Sequence, residues 1–229
     1  MTQLVPALYF APSTCARVTL TALEEIGQPF ETRLIAFMAG EHRQPDFLTV
    51  NPAGKVPALD TGRGVVTQNG SILLYLARAH PAAGLLPLIG DPLLDAPVIS
   101  ALFRFSSDLH PLVTRFVLPG VMLSSSANAL LVREKAEEVL LQQLHPFDAQ
   151  LEGQPWLLGQ QWSILDAYLA WIWFRITGAG FESTTFPHIA SHYDRAMDRP
   201  SAKATLDREA KSQEELEQRG LAFAPSKVA

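Results

Sequence analysis

The chain has 229 residues, of which 48% are apolar, and its 18 basic and 23 acidic side chains give a net charge of −5. At ~150 residues per domain it holds one large domain or two small ones, and its acidic balance excludes a general cationic surface for nucleic acid. The longest apolar run, Ala167 to Phe174, is eight residues, far short of the ~18 a membrane span needs, and a single cysteine excludes an internal disulfide or a cysteine cluster for zinc.

The opening MTQLVPALYF has no basic residue ahead of its short apolar stretch. It does not fit a secretory signal, so a cytoplasmic setting is expected. Ala7 to Phe10 reads as a short strand followed by a Pro-Ser-Thr turn. Cys15 to Ile26 has helical spacing through Val18, Leu20, Leu23 and Ile26, with Gly27 as its C-terminal stop. Phe30 to Phe37 reads as a second strand, and the polar stretch from Gly40 to Val50 has room for one weak helix. Val56 to Leu59 and Val65 to Thr67 are strands around a Gly-rich hairpin turn, and Ser71 to Ala79 is a helix. The order β-α-β-(α)-β-β-α is complete by residue 80.

Prolines and glycines then mark a linker over 81–95, and no strand is expected beyond it. Ala96 to Phe116 and Ala127 to Leu151 have helical patterns, the second through Leu140, Leu144, Phe147 and Leu151, with Pro146 expected to bend its end. Ser163 and Asp166 form a capping box that opens the very apolar segment AYLAWIWFRI. His188 to Met197 is a last helix, stopped near Pro200, and the tail beyond Ala202 reads as charged, with Glu214, Glu215 and Glu217 on a solvated face. The expected division is an α/β domain over 1–80, the linker, an all-helical domain over 96–210 and a tail over 211–229.

Some residues have chemical as well as structural readings. Cys15 lies at the first turn of a helix, where unpaired N–H groups favour a thiolate, although most lone cysteines are buried packing residues. Gln68 and Asn69 lie at another helix start, a natural seat for a carboxylate. His110 and Ser107 lie one turn apart on one helix face. Tyr9 reads as a core or wall residue, and the four tryptophans as packing of the helical half.

Several segments resemble one known family. LYFAPSTCARVTLTALEEIGQPFE is similar to the opening of bacterial beta-class glutathione transferases, NPAGKVPAL to their cis-proline loop, and TQNGSILLYLA to their γ-glutamyl-binding turn. DLHPL resembles the helix carrying their active-site histidine, and WSILDAYL their capping motif. The resemblance implies a thioredoxin-like N-terminal domain, a helical-bundle C-terminal domain, a homodimer, and glutathione as co-substrate for attack on a small apolar electrophile. It implies no metal.

By that resemblance, Lys55, Val56 and Pro57 form the loop on which glutathione lies, with a cis bond leaving the Val56 backbone to pair with the ligand as an added strand. Gln68 and Asn69 would hold the γ-glutamyl end, and Ser107 would contribute from the second domain. Cys15 would face the glutathione sulfur, with the hydroxyls of Ser13 and Thr14 as rivals, and His110 would bond the thiolate or carry a proton. The chain also departs from the pattern. Gln68 replaces an acidic residue, Pro111 a lysine, Phe103 a polar residue, and Phe37 and Met38 occupy a region where another lysine is expected. Arg104 and Arg115 are candidates to restore the positive charge. Two alternatives stay open: a monothiol disulfide or peroxide reductase using Cys15, and a non-catalytic ligand-binding member of the fold. Phe223 is a candidate to fold over the substrate.

Overall fold

The computed structural model describes residues 5–123 and 128–222. Its strands are β1 (Ala7–Phe10), β2 (Glu31–Leu34), β3 (Ala58–Asp60) and β4 (Val65–Thr67), in one sheet of order β2-β1-β3-β4. β1 and β2 are parallel and joined through α1 (Ala16–Ile26), whereas β3 and β4 form an antiparallel hairpin against β1. Two short 3-10 turns and α2 (Pro45–Val50) fill the segment read as weakly helical, and α3 (Asn69–Ala79) follows β4. This is the expected thioredoxin-like order. β2 is shorter than the run from Phe30 to Phe37: after Leu34 the chain turns, and Phe37 enters a 3-10 turn.

The helical part comprises α4 (Pro92–Phe103), α5 (His110–Val117), α6 (Ala129–Leu151), α7 (Ile164–Thr177) and α8 (Pro187–Met197). A π-helical turn, Arg104–Leu109, joins α4 to α5. The residues of α6 read at helical spacing, Leu140, Leu144, Phe147 and Leu151, are all buried, and α6 runs as one helix through Pro146. Ala127 and Phe223 lie outside the described residues.

α7 is buried along most of its length because it is almost wholly apolar, and its start is held by side-chain partners. Asp166 accepts from the Ser163 N–H at 2.8 Å and from the Ser163 hydroxyl at 3.1 Å. Its other oxygen accepts from Leu157 N–H at 2.8 Å and His192 Nε2 at 2.9 Å. The capping box thus anchors a loop and α8 as well as its own helix. The segment read as a linker is also tied down. Leu85 and Leu86 are buried, the Leu85 carbonyl accepts from Ile164 N–H at 2.8 Å, and Asp91 caps α4.

A further helix, α9 (Pro200–Gln218), occupies the segment read as the end of the helical domain and its charged tail. The chain divides into two compact units, one of residues 1–76 with 200–229, the other of residues 77–199. Residues 200–210 therefore group with the sheet, because α9 packs on α1. Proline at the first position suits a helix start, and the buried residues Ser201, Thr205, Glu209 and Leu216 follow a helical stripe.

Candidate functional site

Cys15 lies where three loops of the first unit meet. β1 ends at Phe10, and Ser13 takes a left-handed conformation (φ 62°) that turns the chain into α1. The Thr14 hydroxyl donates to Ala11 O at 2.7 Å and accepts from Ala16 N–H at 3.3 Å. Its one proton is therefore committed to the backbone, so in this arrangement it does not act as a donor to a sulfur atom. Cys15 occupies the N-cap position of α1 and is 8% exposed. Its Sγ lies 3.7 Å from the Val56 carbonyl, and its own carbonyl accepts from Asn69 Nδ2 at 3.1 Å.

The second loop is shaped by Asn51. Its Nδ2 donates to Lys55 O at 2.6 Å, and its Oδ1 accepts from Ala53 N–H at 3.1 Å. Gly54 has φ 59°, and a Cβ there would sit 3.1 Å from His42 O, so the turn requires glycine. The Val56-Pro57 peptide is cis, as expected. Pairing with β1 begins only at Ala58, which leaves Val56 outside the ladder. Lys55 is exposed and Pro57 buried.

At the third loop Gln68 is exposed and left-handed (φ 69°), and its carbonyl accepts from Ile72 N–H to begin α3. The first N–H groups of such a helix lack intrahelical acceptors. Asn69 differs from the expectation in its side chain. It is buried, accepting from Thr19 Oγ1 at 2.6 Å while donating to Cys15 O, so only its backbone is left to meet a ligand.

Behind the Cys15 loop stands a residue that the sequence did not single out. Glu209 of α9 accepts from Ser13 N–H at 3.0 Å and from Arg17 at 2.9 and 2.5 Å, with both charged side chains buried. One turn along, Thr21 donates to Arg17 O, so Thr205 donates to Thr21 across 3.2 Å. The only available signal was polar residues spaced four apart after Pro200. Nearby, His42 is buried and stacked on Phe37 at 3.9 Å. Burial, with Arg43 beside it, lowers its pKa against the opposing effect of the Phe37 backbone. Phe37 and Met38 make this end of the unit apolar, and Met38 is 52% exposed.

In the second unit Ser107 is exposed on the π-helical turn, and His110 is half-buried at the start of α5. His110 Nδ1 lies 3.1 Å from the Tyr168 hydroxyl, and Trp171 meets the imidazole edge-on at 4.7 Å. Arg104 does not take the place of the absent lysine: its guanidinium lies over Phe147 at 4.4 Å and reaches Gln143. Arg115 is exposed. No metal-binding group of His, Cys, Asp or Glu occurs among the described residues.

Residues 7–78 match the family model of the glutathione S-transferase N-terminal domain, and residues 107–200 that of the C-terminal domain. A glutathione S-transferase of Xanthomonas campestris pv. campestris is 32% identical over 162 residues, 71% of this chain and 78% of that protein. A bacterial beta-class glutathione S-transferase of Sphingomonas chungbukensis is 31% identical with a TM-score of 0.77, over 89% of this chain and 98% of that one. A sphingomonad glutathione S-transferase, solved in complex with glutathione, is 30% identical with the same TM-score and the same coverage. The two matched domains and the sheet-plus-helices architecture agree: the chain belongs to the glutathione S-transferase family of enzymes.

Proposed function

We propose that the chain binds glutathione along the Lys55-Val56-Pro57 loop and catalyses attack of its sulfur on a small apolar electrophile. The observation that carries this reading is the convergence on Cys15, whose thiol faces Val56 and whose carbonyl is tied to the start of α3. Val56 stands just before the start of β3 and outside the ladder, so an extended peptide can pair with it as an added strand. The ligand's γ-glutamyl carboxylate would accept from the first N–H groups of α3, with Gln68 accepting from its ammonium. Cys15 and Ser13 would then border the sulfur, and Ser107 and His110 would act from the helical unit. In the reaction the sulfur lone pair forms a C–S bond, the electrophile loses its leaving group or opens its activated double bond, and the thiol proton passes to a base or to solvent.

A second reading uses the same thiol. A carbonyl next to Sγ accepts from the S–H form and repels a thiolate, so displacing that contact would activate Cys15. The Cys15 thiolate would attack a glutathione mixed disulfide, releasing the other thiol, and a second glutathione would resolve the adduct as glutathione disulfide. Calorimetry with glutathione tests both readings at once. Binding at millimolar or lower concentration supports them, and none by a folded protein favours a non-catalytic ligand-binding role. Cys15→Ser separates them, since it would abolish disulfide exchange and spare conjugation.

The quaternary proposal is a homodimer. α4 is apolar apart from Asp95 and Ser100, yet Leu93, Leu94 and Phe103 are 80%, 62% and 54% exposed. Such a surface calls for a covering partner. Among the described residues no helix is long and apolar enough to cross a membrane. The proposed setting is the cytosol, where glutathione sets the thiol balance.

A further inference from the structure

Two residues of α7 hold the imidazole of His110. The Tyr168 hydroxyl lies 3.1 Å from Nδ1, and Trp171, one turn along, meets the ring at 4.7 Å and 73°. Tyr168 is 0% exposed and wedged, with Phe105 of the π-helical turn stacked on it at 5.7 Å and Trp171 against it at 5.9 Å. Its hydroxyl is therefore aimed at His110 by packing. The direction of the bond follows from acidity. A phenol, with a pKa of about 10, is a far stronger acid than a neutral imidazole N–H, and the imidazole nitrogen is the stronger base.

We propose that Tyr168 is a positioning residue for His110: its O–H donates to Nδ1 and fixes the neutral ring as the Nε2–H tautomer. In the reaction proposed above, Nε2–H would then be the donor available from His110. The use of that donor rests on the function proposed above; the direction of the bond does not. Trp171 holds the ring plane, so the donor has a fixed direction as well as a fixed proton.

The test is nitrogen NMR of the full-length protein labelled with 15N-histidine, with His110 assigned by the signals lost in His110→Asn. The expected result is a protonated Nε2 and a hydrogen-bonded, unprotonated Nδ1; a protonated Nδ1 overturns the proposal. Tyr168→Phe keeps the ring and removes the donor. It is expected to release the tautomer preference and lower kcat about fivefold, the equivalent of one neutral hydrogen bond, with KM for glutathione unchanged. Combined with His110→Asn it should cost nothing more, because it acts through His110. An equal fall in that background would make Tyr168 a packing residue and overturn the proposal. If no glutathione turnover is found, the proposed function fails, and the wild-type tautomer alone decides the direction of the bond. The same wild-type measurement decides it if Tyr168→Phe does not fold.

Discussion

Gln68 sits in a left-handed turn at the start of α3 and is exposed, so its side chain can be changed with little effect on packing. A neutral amide accepts a weaker bond from an ammonium than a carboxylate does, by ~1 kcal/mol. Gln68→Glu is therefore expected to tighten glutathione binding about fivefold, read by calorimetry. His42 leads to a different prediction. Its folded pKa lies below the ordinary value of 6.5 because it is buried and because the positive charge of the adjacent Arg43 opposes protonation. As pH falls through and below that value, the unfolded chain takes up a proton that the folded chain resists, so stability drops. Replacing the stacked imidazole by a ring that does not titrate should flatten this trend. Urea midpoints at pH 7 and pH 5 should differ less for His42→Phe than for the wild type. Cys15 was legible as a functional candidate from its place at a helix start. Its contact with Val56 was not, because that depends on a residue 41 positions away.

α9 shows how an element can escape a reading based on apolar periodicity. Its buried stripe is mostly polar, and it packs against an equally polar stripe on α1, Arg17 with Glu209 and Thr21 with Thr205. Each stripe alone resembles a solvated face; only the pairing makes them an interface. Removing one partner of such a buried pair costs about 3–5 kcal/mol. Glu209→Ala is thus expected to lower the Tm by several degrees or more and to loosen the Ser13 turn that leads to Cys15. An Arg17→Met/Glu209→Leu double variant should recover part of the loss. Recovery stays partial because Ser13 N–H still lacks its acceptor, and a double-mutant cycle by calorimetric unfolding checks both statements. By contrast, the capping box of α7 was plain from Ser163 and Asp166, since it needs only residues three apart. That Asp166 also holds His192 and Leu157 was not visible, because neither lies near it in the motif.

For the molecule as a whole, the exposed apolar residues of α4 bear on assembly. If α4 is covered by a second copy, a charge placed there should separate the copies. Leu93→Asp with Phe103→Asp is expected to shift the sedimentation coefficient from dimer to monomer while each chain stays folded; a wild-type monomer would remove the homodimer proposal. The strand and helix order up to residue 80, the all-helical character of the chain beyond the proline-rich segment and the capping box were legible in the residues themselves, whereas the cis-proline loop was expected from the resemblance of NPAGKVPAL to a family motif. The first three are written in local spacing or in a short motif whose partners lie within a few residues. That α9 joins the sheet unit, that the Thr14 hydroxyl is tied to the backbone and the Asn69 side chain to Thr19 and the Cys15 carbonyl, and that Tyr168 faces His110 emerged only with the folded chain. The physical reason is the same in each case: a hydrogen bond or an ion pair belongs to two residues, and the sequence around one of them does not say which partner the fold will bring to it.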